Sequence, residues 1–438
     1  MEPSNLSILG RDVQATTERL YQLLSEPQES SSSWFQLGAT SYSGEVQDVR
    51  GELLDKVENL RALVLGPHSY IYYTSLLSPA WLGVCNALYH FKIASHVPVD
   101  QSISYKDLSE LCGLHLLETA RIVKAAISMR IFTEDSNGHV KHNALSAVIA
   151  EEAGHNSLGF FTQEFTPAAL KLPESLERFP RSDSPGESAL AISNGGAGDR
   201  DIFTMISHDY DRVERFAKAM SFGTMVAETS LSHFVDNVPW SSGRGDKQEA
   251  CPRTVVDVGG SRGDLCEALL RKYPRICHAI VEDRPETTKS NVACEPASDI
   301  SDRITYQAYD FFTEQPVKTA DVFIFRTILH DWPDSYAIQI LRNQIPALKS
   351  QSRILINDIC IGLPSSNTFI DQARRAHDIF VKMGLNAAER SVDDWTSLLR
   401  RADERFELVS VVTPSQSVHS IIEVAWRDLP DAEKQVLS

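Results

Sequence analysis

Residues 254–263, TVVDVGGSRG, constrain this chain more than any other stretch. A short run of β-branched apolar residues favours extended backbone, and it runs straight into glycines 259, 260 and 263, which let the chain turn sharply where a side chain would be in the way. The same strand-then-turn pattern recurs downstream. DLCEALLRKYP (264–274) has helical spacing and is stopped by proline. HAIVED (278–283), ITYQAYD (304–310) and DVFIFR (321–326) read as the second, third and fourth strands, and AIQILRNQIPALK (337–349) as a helix. RILINDICI (353–361) is a fifth strand, VDDWTSLLRRAD (392–403) a further helix, and FELVSVVTP (406–414) with SIIEVAWR (420–427) a terminal strand pair. Strands alternating with helices at this spacing predict an α/β fold with a mostly parallel, doubly wound sheet over residues 241–438.

The first half reads differently. Residues 7–25 and 44–65 carry apolar side chains at helical spacing, among them Leu20, Leu23 and Leu24, then Val49, Leu53, Val57, Leu60, Leu63 and Val64, with a Ser-rich stretch at 29–33 between them. Residues 1–70 are therefore expected to form a helical extension whose apolar stripes need a partner, and a second subunit is one candidate. Within residues 71–155 a capped helix over 104–111, a turn at Gly113, a longer helix through Ile127 and two short strands around Asn137-Gly138 follow the order of a winged helix. Residues 156–180 and 200–236 again have helical periodicity. The polar stretch SDSPGESALAISNGGAGD (182–199) reads as a mobile surface loop, and SSGRGDKQEA (241–250) as a second polar excursion. The domain junction is expected between about residues 236 and 253, with 156–240 forming a helical linker and pocket segment.

Charge and cysteine usage exclude several classes. A net charge of −17 with no basic run opposes a nucleic-acid surface, so the winged-helix segment reads as a packing or dimerisation module. No run of about 20 apolar residues and no signal-like N-terminus occur, which predicts no membrane insertion and a cytoplasmic location. Seven scattered cysteines without CxxC spacing predict reduced thiols and no metal.

In a doubly wound sheet, ligands bind beyond the carboxyl ends of the strands. A dinucleotide fingerprint, G-x-G-x-x-G, fails here, because aligning its last two glycines on Gly260 and Gly263 puts Val258 where the first must stand. Asp257 inside the first strand suits a cationic ligand better than a pyrophosphate, and S-adenosylmethionine is such a ligand. Asp283, 20 residues beyond Gly263, stands where a carboxylate accepts both ribose hydroxyls, a need NAD shares. Asp310-Phe311 offers an acceptor and an aromatic edge for adenine. Each carboxylate taken singly also reads as a helix cap. Past the fourth strand comes FRTILHDWPD, where a histidine followed by Asp-Trp-Pro is poorly explained by packing, although a capped helix over a buried Trp is the plain alternative.

VVDVGGSRGD, AIVEDRPE, AYDFF, FRTILHDWPD, ARRAHDIF and AAERSVDDW together resemble, in order and spacing, the cation-independent O-methyltransferases of the caffeate and flavonoid type, most of all fungal members acting on polyketide aromatics. The likeness covers roughly residues 75–430. It implies a Rossmann-like class I methyltransferase domain behind a winged-helix-like dimerisation domain, S-adenosyl-L-methionine as methyl donor with S-adenosyl-L-homocysteine as product, no metal, and a homodimer acting on a small molecule. Carried over by position, it implies His330 as general base flanked by Asp358 and Glu389. Cofactor contacts fall on Gly259, Asp283, Asp310, Phe311 and Arg326, with Thr224 as a further contact, and acceptor contacts on Phe216 and Met220; the strand-end reading adds Asp257 and Gly260 to the cofactor site, and Asp331 beside the base is added to the acceptor site. Phe216 and Met220, in RFAKAMSFGTM, also read as plain core. Three departures stand out. Asp358 replaces a common Glu, Tyr309 replaces a usual Gly and is expected to crowd the adenosine side, and NAAER lacks a Gly-Gly-Lys.

The implied reaction is an in-line displacement on a sulfonium methyl group. A phenol near pKa 10 facing an imidazole near 6.5 leaves a gap of about 3.5 units, roughly 5 kcal/mol, which a carboxylate on the other ring nitrogen narrows. Two other functions remain on the same fold: a protein that uses the sulfonium charge for a cyclisation or pericyclic step, where the base is expected to be lost, and a noncatalytic dimeric binding protein.

Overall fold

The structure, a computed structural model, describes residues 3–25, 44–196, 198, 201–207, 209–240, 251–292, 299–349, 352–362 and 365–427. The 29–33 and 241–250 stretches and Cys294 lie outside the described residues. The chain divides into two units, residues 1–180 with 186–227, and residues 181–185 with 228–438.

In the first unit, helix Pro3–Leu24 packs on helix Gly44–His90 through Leu20, Val46 and Val49, with Leu23, Leu24 and Leu53 alongside. The second helix runs past the 44–65 read from the sequence. Gly66, at φ 68°, breaks it locally, and Pro67 begins its continuation, where a missing N–H costs nothing. Ile71, Tyr72, Leu76 and Trp81 on this continuation are exposed. The winged-helix order follows. Ser104 caps helix Tyr105–Cys112 by accepting from the Asp107 amide, Gly113 closes it at φ 66°, and helix Leu116–Ser128 leads into strands β1 (Thr133–Glu134) and β2 (Val140–Lys141), paired antiparallel. Leu108, Val123, Phe132 and Val140 form its core.

The expectation of a mobile loop over 182–199 is corrected, with residues 197 and 199 lying outside the described set. Ser188 caps a short helix, Ala189–Ser193, whose Ala189, Leu190, Ala191 and Ile192 are buried. The apolar quartet was hidden by the polar residues on both sides of it. Buried backbone must have hydrogen-bond partners, and one capped helical turn supplies them.

The second unit is built on a seven-stranded sheet: β3 (Thr254–Val258), β4 (His278–Asp283), β5 (Ile304–Ala308), β6 (Val322–Arg326), β7 (Arg353–Asn357), β8 (Phe406–Val412) and β9 (Ile421–Trp426). Their order is β5-β4-β3-β6-β7-β9-β8, with β3 to β7 parallel and β9 antiparallel to β7 and β8. The sheet was read correctly from the alternation; helix Phe369–Leu385 was not named by it. Order reverses where β3 meets both β4 and β6, which creates a crevice at their carboxyl ends.

The junction lies upstream of the 236–253 window. Phe234, Val235 and Val238 pack into the same core as Val255, Leu265, Leu269, Ile324 and Leu355, so the segment from residue 228 belongs to the sheet unit. Its helix-like spacing hid that its apolar side faces the sheet. Among the described residues no helix is long and apolar enough to cross a membrane.

Candidate active site

The turn after β3 is held by its neighbour. The amides of Gly259 and Gly260 both donate to the Glu282 carbonyl, at 2.8 and 3.0 Å. A Cβ on Gly260 would lie 2.6 Å from Asp257 Oδ2, and Gly263, at φ 85°, lies under the Tyr306 hydroxyl. Glycine is required here by contact as well as by conformation.

Asp257 is buried beneath this turn, and burial pushes its carboxyl up to about 7 against the pull of Arg326. Arg326, at the end of β6, donates Nη2 to the Thr229 carbonyl at 2.9 Å, and its buried Nε has no hydrogen-bond partner among the described residues. At the end of β4, Asp283 Oδ2 accepts from the Ser261 amide at 2.9 Å and Oδ1 from the Arg284 amide at 2.7 Å. The half-buried carboxylate keeps further lone pairs for a ligand.

Asp310, at the end of the β5 turn, is exposed and beside the half-buried Phe311, whose ring lies edge-on to Trp332 at 5.9 Å. Tyr309 does not crowd this side. Its ring is buried, its hydroxyl donates to the Thr313 carbonyl at 2.9 Å, and Gln344 Nε2 reaches the same oxygen at 3.3 Å. Gln344 Oε1 in turn accepts from Gln315, which also donates to the buried Glu282 at 2.8 Å. A residue at a strand end has one interior and one crevice direction, and Tyr309 takes the interior one.

Past β6, Thr327 adopts φ 53° and a 3-10 turn, Leu329–Asp331, carries His330. His330 Nδ1 lies 2.8 Å from Glu389 Oε1, although 59 residues separate them. Asp358, at the end of β7, does not meet the ring; its Oδ2 accepts the His330 backbone N–H at 3.1 Å. Asp331 Oδ1 lies 3.5 Å from Nε2. Burial opposes the imidazolium, but Glu389, Asp331 and Asp358 outweigh it and raise His330 to about 10. Burial also pushes Asp358 up to about 6.

The NAAER segment finds its own support. Asn386 closes helix Phe369–Leu385 in the left-handed region at φ 56° and donates Nδ2 to the carbonyls of Ser182 and Ser184. Asn tolerates this conformation as glycine does.

Arg390 was missed. It is 4 % exposed, donates Nη1 to the Leu329 carbonyl and Nη2 to the Trp332 carbonyl, each at 2.8 Å, pairs with Asp334 and lies over the Trp395 ring at 5.2 Å. It thereby clamps the turn that carries His330 on both sides. The one signal was its place directly after Glu389.

The three remaining positions belong to the first unit. Phe216 and Met220 sit one turn apart on helix Tyr210–Gly223. Phe216 packs edge-on against Phe160 at 5.6 Å and Phe203 at 5.8 Å, whereas Met220 is exposed. Thr224 follows the helix and donates to the Ser221 carbonyl at 2.8 Å. Among the described residues no group of three or more His, Cys, Asp or Glu forms a candidate metal site.

Residues 250–404 match the model of an O-methyltransferase domain. O-methyltransferase kk1A of Curvularia clavata is 32% identical over 98% of this chain and 99% of its own. Among solved structures, OxaC in complex with SAH and oxaline aligns at TM-score 0.76 and 21% identity, covering 97% of this chain and 99% of that one. A structure described as a pericyclic reaction enzyme aligns at TM-score 0.75 and 21% identity, covering 95% and 99%. Two such different proteins on one architecture mean that the fold alone does not choose between chemistries.

Proposed function

Because the chain belongs to the S-adenosylmethionine-dependent O-methyltransferases, we propose that it methylates a phenolic or enolic hydroxyl of a small aromatic or polyketide-type secondary metabolite, with His330 as general base. The observation that carries this reading is the buried 2.8 Å contact between His330 Nδ1 and Glu389, which leaves Nε2 as the nitrogen that meets an acceptor.

The residues at the strand ends fit the cofactor. Asp257, Asp283 and Asp310 supply carboxylates without the phosphate-binding glycine pattern, which suits a cationic nucleoside, and the orphaned Arg326 Nε offers a buried donor. Asp283 would take the ribose hydroxyls, Asp310 and Phe311 the adenine, and Gly259 and Gly260 the close backbone approach. Thr224 would be a further contact. The bound cofactor supplies an electrophilic methyl group on sulfur.

His330 then removes the acceptor proton. Raised to about 10, it matches a phenol near 10, so the gap of about 3.5 units foreseen for an unassisted imidazole closes. Glu389 stabilises the imidazolium and fixes the ring, while Asp358 and Arg390 position the turn that carries it. Phe216, Met220 and Asp331 would contact the acceptor.

The retained His330–Glu389 pair favours methyl transfer over a pericyclic step, for which the base is dispensable. Incubation with methyl-labelled cofactor and a panel of phenols, in EDTA because this chemistry needs no metal, should give labelled product. Unlabelled isomerised product, or none, would contradict it. The exposed Ile71, Tyr72, Leu76 and Trp81 support homodimerisation through the N-terminal unit, testable by light scattering. The six described cysteines are unpaired, in keeping with a reducing compartment such as the cytoplasm.

A further inference from the structure

The three carboxylates around His330 are not equivalent. Glu389 holds Nδ1 with a side chain that is 0 % exposed. Asp358 is equally inaccessible and is engaged by the His330 backbone N–H. Asp331 alone among them combines an ion-pair distance to the reactive nitrogen, 3.5 Å from Nε2 and not a hydrogen bond at rest, with a side chain that is 22% exposed.

Every turnover leaves a proton on Nε2, and a strong base surrounded by negative charge gives its proton up slowly. His330 is 8 % exposed, so direct exchange with water is hindered as well. A carboxylate with one face on the imidazole and the other on solvent removes both obstacles. Burial pushes Asp331 up to about 7, between the histidine and bulk water. His377 is a poorer acceptor, since burial and the His330 charge push its imidazole down.

We propose that Asp331 is the proton outlet of this site. After the acceptor O–H has passed its proton to Nε2, the Nε2–H bond breaks with its electron pair staying on nitrogen. An Oδ1 lone pair of Asp331 takes the proton, and its exposed face hands that proton to water. The imidazole is returned neutral and the carboxylate ionised, with no other reactant consumed. The inference rests on His330 being the base.

The test uses Asp331→Asn, which keeps the shape but cannot carry the proton, and Asp331→Glu, which can. In 15N-histidine NMR of the full-length, cofactor-free protein, exchange of the His330 Nε2 proton with water should slow at least about fivefold in Asp331→Asn and recover in Asp331→Glu. With whichever phenol the labelled-cofactor assay identifies, Asp331→Asn should lose distinctly less in single-turnover methyl transfer than in steady-state turnover, because an acceptor contact bears equally on both and an outlet weighs on repeated cycles. Its steady-state turnover should fall about tenfold or more and recover as imidazole buffer is raised. Unchanged proton exchange, or an equal loss in both kinetic regimes without a buffer response, would overturn the outlet and leave Asp331 with its acceptor contact alone. Undiminished single-turnover transfer in His330→Ala would instead overturn the base on which it rests.

Discussion

His330 Nδ1 and Glu389 Oε1 lie 2.8 Å apart in the interior, and the second oxygen of Glu389 has no hydrogen-bond partner among the described residues. A buried carboxylate committed to one imidazole is an arrangement that burial alone would penalise, so its strength is spent on the charge of that ring. Glu389→Gln keeps the volume and removes the charge. Methyl transfer should fall about a hundredfold with cofactor affinity unchanged, within the range typical of base catalysis. Asp358→Asn, whose oxygen still accepts the His330 amide, should cost distinctly less. Equal losses in the two variants would contradict the division of roles.

The same field sets the pH dependence. Because His330 is raised to about 10, the free enzyme carries an imidazolium at neutral pH, and the competent neutral form grows as pH rises. kcat/KM should therefore increase from pH 6 towards pH 9, and Glu389→Gln should move that rise to lower pH. A profile flat above pH 7 in the wild type would contradict this.

Asp283 is predicted to act on binding. Asp283→Ala should weaken cofactor affinity about tenfold or more by calorimetry, the scale of losing charge-assisted hydrogen bonds. Unchanged binding would remove it from the ribose.

Glu282 is predicted to act on stability. Buried, and only partly relieved by Gln315, it is pushed up to about 7. The native carboxyl then holds a proton that the unfolded chain has released, so stability contributed by this group is lost as pH rises from about 4.5 to 7. Glu282→Gln should gain stability over wild type on moving from pH 5 to pH 8, on the order of 2 kcal/mol, read by urea unfolding. A pH-independent difference would contradict it.

The sheet was legible because each strand is a short apolar run ending in a turn, a pattern that depends on near neighbours only. What depends on distant partners was not. Nothing in the sequence brings Glu389 to His330; the family likeness supplied the pairing, and it gave Asp358 the same place although that carboxylate meets the backbone. Tyr309 looked obstructive because its direction off the strand end is not written in its identity. Arg390 passed unnoticed because its partners are main-chain carbonyls, which any residue can provide. The 182–199 stretch was misjudged by composition, as four buried apolar residues weighed less than the Ser, Gly and Asp around them.

The most direct test of the account is single-turnover transfer of labelled methyl by His330→Gln, with cofactor binding measured on the same preparation. With His330 as the base, this variant should keep near-normal cofactor affinity and lose methyl transfer at least about a hundredfold. Near-normal transfer by this variant would contradict it.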